Sequence, residues 1–240
     1  MTTKDNDRIE HHGPEHRDVS GGWLRPAVFG AMDGLVTNVS LIAGVGGGGG
    51  SQHAIVLTGL AGLAAGAFSM AAGEFVSVSS QNELVHAEVA KERHELATNA
   101  VAEQMELVGM LRRRGISAAT ARLAAAEISA HPEKALAVHA FEELGVNPAD
   151  LPSPFVAAGA SLVAFAVGAL VPLLPYAAGA DSLWLALGLA ALAAIAGGGM
   201  VARLTGRPFW RGALRQLALG ALAAGVTYLI GLAVGGMAGT

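Results

Sequence analysis

Followed along the chain, apolar and polar positions fall into long uncharged runs interrupted by one long charged stretch. A helix that crosses the hydrocarbon core of a bilayer needs about 20 predominantly apolar residues in succession. Residues 26–48, 54–77, 154–176, 183–202 and 212–236 meet that need, the first two despite one carboxylate each, Asp33 and Glu74. Residues 84–150 differ completely: glutamates alternate with basic residues, and apolar positions such as Val101, Met105, Val108 and Leu111 recur at helical spacing. The pattern predicts an all-α membrane protein with five transmembrane helices and a water-exposed helical insert between the second and third. The corresponding segments are a tail at 1–22, transmembrane helices one and two within 23–83, the insert at 84–150, and helices three to five within 151–240. Residues 1–22 are polar throughout, which predicts a disordered tail rather than a cleavable signal peptide.

Composition agrees with the pattern. Of the 240 residues 52% are hydrophobic and only 14% charged, against about 25% charged in soluble domains, and mean hydropathy is +0.49. The lack of cysteine excludes a disulfide-stapled module and any thiolate site. A net charge of -4 speaks against a nucleic-acid partner. Five spans place all 15 Lys and Arg residues on one side of the membrane, with the N-terminus and the insert. The positive-inside rule makes that side cytoplasmic. The Ala/Gly bias and the absence of a targeting segment suggest a bacterial cytoplasmic membrane. Two small-xxx-small pairs, Gly62/Gly66 and Gly231/Gly235, suit close helix packing, with a self-association face as the alternative.

Candidate chemistry begins with the carboxylates in the spans. At 1.5 Å per residue Asp33 lies roughly 10 Å in from residue 26, Glu74 roughly 9 Å in from residue 80, and Met70 roughly 15 Å in. The two spans are antiparallel neighbours, so these groups share a depth, and Met70 and Glu74 share a helix face. A charge there costs at least about 2.5 kcal/mol, and neither span contains a Lys or Arg to neutralise it. The missing partner is a cation or a proton; a protonated carboxyl gluing helices is the plainer alternative. Met70 adds a soft ligand that favours a transition metal over Mg2+ or Ca2+, and Mn2+ fits because oxygen-rich sites accept it.

A second constellation lies in the insert. On one unbroken helix from Leu84 to Arg114, Glu92, Glu95, Glu103 and Glu106 fall within a band roughly 80° wide, together with Glu88, Asn99 and Met110. Carboxylates massed on one face are hard ligands for a divalent ion, although a solvated acidic face has the same signature. His11, His12 and His16 form a short tract able to pick up metal. Residues 46–50 read as a flexible turn, since no Gly-Lys-Ser/Thr follows to make a phosphate loop. Arg112, Arg113 and Arg114 suit anionic headgroups or the acidic stripe.

The strings Phe29-Gly-Ala-Met-Asp33-Gly-Leu-Val-Thr-Asn38 and Ala65-Gly-Ala-Phe-Ser-Met70-Ala-Ala-Gly-Glu74-Phe-Val-Ser-Val-Ser-Ser-Gln81 resemble the first two helices of the vacuolar iron transporter family. The acidic insert and Glu142-Glu143-Leu-Gly fit as well, and the resemblance covers nearly everything after Trp23. It implies a five-helix subunit that forms a homodimer and exchanges cytoplasmic Fe2+ for protons, with no tightly bound cofactor, because the ion is cargo. Asp33 and Met70 then match intramembrane metal residues, and Glu74 the acidic position that follows. Glu92, Glu95, Glu103, Glu106 and Glu143 match the cytoplasmic metal-binding glutamates. Where the family often has a Met-Met pair before Glu143, this chain has His139 and Ala140, which makes His139 a candidate imidazole ligand.

Two other classes compete. An intramembrane aspartyl protease needs two opposed aspartates, and a serine protease of the rhomboid kind needs a histidine in a span. Only Asp33 lies clearly within the membrane, and all eight histidines fall outside the spans, so an enzyme is not expected. A membrane-anchored metal sensor or scaffold would use the insert alone and tolerate loss of Asp33 and Met70.

Overall fold

The computed structural model describes residues 22–238. The tail, with His11, His12 and His16, lies outside the described residues. The described chain is all helical, and five of its helices are long and apolar enough to cross a membrane. In order these are α1 (Leu24–Gly47), α2 (Gln52–Thr98), α6 (Pro154–Leu170, extended by a 3-10 turn and the short α7, Leu174–Ala177), α8 (Leu183–Leu204) and α9 (Phe209–Ala238). The insert contributes α3 (Ala100–Arg113), α4 (Ala118–Ser129) and α5 (Pro132–Leu144) between the second and third spans.

Local chemistry explains most of the boundaries. Ser51, Ser117, Ser153 and Ser182 each precede a helix, and each hydroxyl accepts from the backbone N–H three residues on. Pro132 and Pro154 occupy first-turn positions that need no N–H. Gly145 closes α5 in the left-handed conformation, φ 68°. Pro172 interrupts the third span, which continues as the 3-10 turn Val171–Leu173. The chain's three tryptophans mark span ends: Trp23 caps α1, and Trp184 and Trp210 are the second residues of α8 and α9. All three are exposed, as suits aromatic rings at a membrane interface.

One expectation fails in an informative way. The helix predicted to run unbroken from Leu84 to Arg114 is instead two helices. α2 starts in the membrane and continues for 47 residues, about 70 Å of rise, because no glycine or proline stands between Gly73 and Gly109 to stop it. It ends at Asn99, where the backbone departs to φ -128°, ψ 37°. The Asn99 carbonyl accepts from the N–H groups of Ala102 and Glu103 and so starts α3 in a new direction. Asparagine is a weak interior helix residue that competes locally for backbone bonds, and the break resets the phase of everything after it. Val101 and Met105, which recur at helical spacing with Val108 and Leu111, are exposed, whereas Met110, expected on the acidic stripe, is buried. Met110 joins Leu107, Val108, Ala121 and Ala125 in the core of the insert.

In the membrane part, α1 is the central helix and packs on α6, α9, α2 and α8. Its union with α6 is backbone on backbone. A Cβ on Gly34 would overlap the Phe165 carbonyl, and one on Gly168 would overlap that of Ala31. Buried Asn38 stitches the same seam, its amide N–H donating to the Ala169 carbonyl. Both small-xxx-small pairs are spent within the chain: Gly231 and Gly235 lie against Gly44 and Gly48, while Gly62 and Gly66 receive Leu41 and Phe165. α9 and the membrane half of α2 are covered least.

Candidate metal site

Three helices bring side chains together at the base of the insert. Glu92 comes from α2, Glu103 from α3 and His139 from α5, and one ligand atom of each lies within 4.8 Å of the others. His139 Nδ1 is 2.9 Å from Glu92 Oε1, 3.8 Å from Glu103 Oε2 and 3.4 Å from Glu143 Oε1, one turn further along α5. The break at Asn99 makes this possible, because it turns α3 back so that Glu103 faces Glu92 across the gap. Two ion pairs, the exposed Arg93–Glu133 and the partly buried Arg114–Glu142, tie α2 and the end of α3 to α5.

The burial is what sets the cluster apart from a solvated face. Glu92, Glu103 and His139 are all buried, a costly arrangement for like charges unless something compensates. Glu92 is pushed up from 4.5 to about 7, first by desolvation and then by the neighbouring charge of Glu143, with His139 offsetting and Glu103 and Glu95 adding. Glu103 is raised by burial and then by Glu106, with Glu95 and Glu143 adding and His139 opposing. The five expected glutamates therefore share one electrostatic neighbourhood, but only Glu92 and Glu103 are buried in it. His139 Nε2 has no hydrogen-bond partner among the described residues. Carboxylates with one imidazole form a donor set that suits a divalent transition metal.

The raised Glu92 carries a testable sign. An acid whose pKa rises on folding holds its proton more tightly in the native state than in the unfolded chain. Its stabilising contribution is full below 4.5 and is lost as pH climbs through about 7. Metal-free protein should therefore melt higher at about pH 5 than at about pH 8, and Glu92→Gln should flatten that difference. A divalent ion binds the deprotonated form, so saturating metal should raise the melting temperature more at the higher pH.

The residues expected within the membrane lie elsewhere, on α1 and the first half of α2. Asp33 is half-buried on α1, and Thr37, one turn on, is its hydrogen-bond partner. On α2, Glu74 is half-buried and Met70 packs against Ala67, Phe165 and Ala169. Glu74 and Glu92 are eighteen residues apart on one continuous helix, about five whole turns, so they share an azimuth at a separation of about 27 Å. Glu88, Gln81 and Ser77 lie within about 60° of that line. Ser161 was not anticipated. It is fully buried on α6 with its hydroxyl unpartnered among the described residues, and a lone serine within an apolar run was the available signal.

Comparison with known proteins agrees with this picture. Residues 24–232 match the sequence profile of the VIT family. A vacuolar iron transporter of Acanthamoeba castellanii is 35% identical over 229 residues, spanning 91% of this chain and 82% of its own length. A vacuolar iron transporter homolog 1 from rice is 36% identical over 211 residues, 86% of this chain and 71% of the relative. Rice vacuolar iron transporter 1 is 27% identical over 227 residues, 93% and 90% of the respective chains. With five spans, a helical insert between the second and third, and similarity over nearly its whole length, the chain belongs to the VIT family.

Proposed function

We propose that the protein is a proton-coupled transporter that exports divalent metal, Fe2+ first and Mn2+ as a second substrate, from the cytoplasm across the membrane. The observation that carries this reading is the shared helix: α2 bears Glu92 in a buried carboxylate–imidazole cluster near its C-terminal end and Met70 and Glu74 about five to six turns earlier, in its apolar half. Relatives named as vacuolar iron transporters point to the same cargo. The acidic insert, on the cytoplasmic side with every basic residue of the chain, raises the local cation concentration. Glu92, Glu103 and His139 hold the ion, with Glu95, Glu106 and Glu143 supplying the surrounding negative field. The ion passes along the polar line of α2 to Asp33, Met70 and Glu74, whose oxygens and thioether replace part of its hydration shell. Protons arriving from the far side neutralise the carboxylates and release it.

The membrane is read as the cytoplasmic membrane, and the unit as a homodimer. The homodimer is supported by the thinly covered membrane half of α2 and by exposed Val101, Met105, Leu123 and Phe141 on the insert, apolar surface that a second copy would bury. Proteoliposomes with acidic lumen and Fe2+ outside test the coupling. Uptake should slow several-fold when the pH gradient is collapsed with an ionophore, and an unchanged rate would remove the proton from the mechanism. A sensor without transport would show no uptake under either condition while still binding metal.

A further inference from the structure

A cavity of about 410 Å³ opens between α1, α8 and α9 at the insert end of the membrane part. Arg25 lines it from α1, and Arg215 and Gln216 from α9; Val28, Phe29 and Met32 form an apolar wall running into the membrane along α1. No carboxylate lines it, and no Asp or Glu occurs anywhere from residue 182 to the end of the chain, a stretch that holds Arg203, Arg207, Arg211 and Arg215. The ion pairs of the described residues leave Arg25 and Arg215 without a carboxylate partner. Arg203 and Arg211 are engaged differently, lying 5.2 Å over the Phe209 ring and 5.3 Å over that of Trp210, which sets this end of α9 at the interface between headgroups and acyl chains.

We propose that this cavity binds the headgroup of an anionic phospholipid. Two guanidinium forks on separate helices present paired N–H donors to phosphate oxygens, and the Gln216 amide supplies a further polar contact. The apolar wall accommodates the glycerol backbone and first methylenes, for which a free phosphate ion has no use. A divalent cation is repelled by the same two charges, so the pocket is no part of the metal route. It lies one residue from the cargo path all the same, since Met32 in its wall precedes Asp33, and an occupying lipid braces α1 where that carboxylate is held.

Native mass spectrometry of the full-length protein in detergent tests the assignment, with phosphatidylglycerol and phosphatidylcholine of identical acyl chains as probes. Basic residues near a surface contribute about 1 kcal/mol each toward anionic lipid, so two give about thirtyfold stronger retention of phosphatidylglycerol. Arg25→Gln/Arg215→Gln should bring the two lipids to within about threefold, while Arg25→Lys/Arg215→Lys keeps most of the preference and Arg207→Gln, outside the cavity, keeps all of it. Unaltered size-exclusion elution and helix content of the double glutamine variant assign the loss to the site rather than to unfolding. Equal retention of both lipids by the parent overturns the proposal. So does an undiminished preference in the double glutamine variant, or binding of inorganic phosphate without phosphatidylglycerol.

Discussion

Asp33→Ala is expected to reduce Fe2+ uptake by proteoliposomes at least a hundredfold, to the level of empty vesicles, while metal binding at the insert survives. Outer partners of metal ligands already cost about ten- to a hundredfold when removed, and Asp33 is read as a ligand itself. The alanine removes the negative charge that offsets the dehydration of a dication inside hydrocarbon, where nothing else on α1 carries charge beyond its first turn. It also orphans Thr37, its hydrogen-bond partner. Asp33→Asn separates the two effects, because it preserves the shape and loses the charge; flux should fail there too. Uptake by Asp33→Ala at the parental rate would remove Asp33 from the ion's path and overturn its assignment as an intramembrane ligand.

Gly168→Leu should prevent recovery of folded protein, and Gly168→Ala should lower the midpoint of thermal unfolding in detergent. Even one methyl group at this position overlaps the Ala31 carbonyl and crowds the Leu35 nitrogen on α1, backbone atoms that cannot swing aside as a side chain would. Overpacking of this kind costs about 1–3 kcal/mol. Gly159, on the same helix, provides the control: a Cβ there meets nothing within 4 Å, so Gly159→Ala should be neutral or gain up to about 1 kcal/mol from helix propensity. If the two alanine variants melt together, α1 and α6 are not locked in the way their contact implies. Loss of this seam should also lower transport, since α1 carries Asp33.

How much of this was readable beforehand differs by kind of residue. The spans were legible because lipid imposes a length of apolar sequence that no other environment demands, and Asp33 and Glu74 stood out against that background for the same reason. The glutamates of the insert were singled out as one face of one helix, and the structure gathers two of them by another route. Glu92 and Glu103 meet because the chain turns at Asn99, and His139 joins them from a helix whose packing no local periodicity encodes. Helical phase carries information only as far as the helix does. Val101 and Met105 lie outward and Met110 inward because α3 turns toward the insert the face that carries Glu103, Leu107 and Met110. The contact between Gly168 and Ala31 was equally out of reach, since a glycine in an apolar run looks the same whether it faces a backbone or a lipid.

The continuity of α2 has a mechanical consequence. A helix without glycine or proline from Gly73 to its end transmits torsion as a stiff shaft does. Under the proposed function, a rotation imposed on Glu92 by ion capture would reach Glu74 about five turns away with little lost to bending. On that reading capture at Glu92 and release near Glu74 would be geared together, and a flexible joint spliced between them should uncouple the two while leaving each site intact.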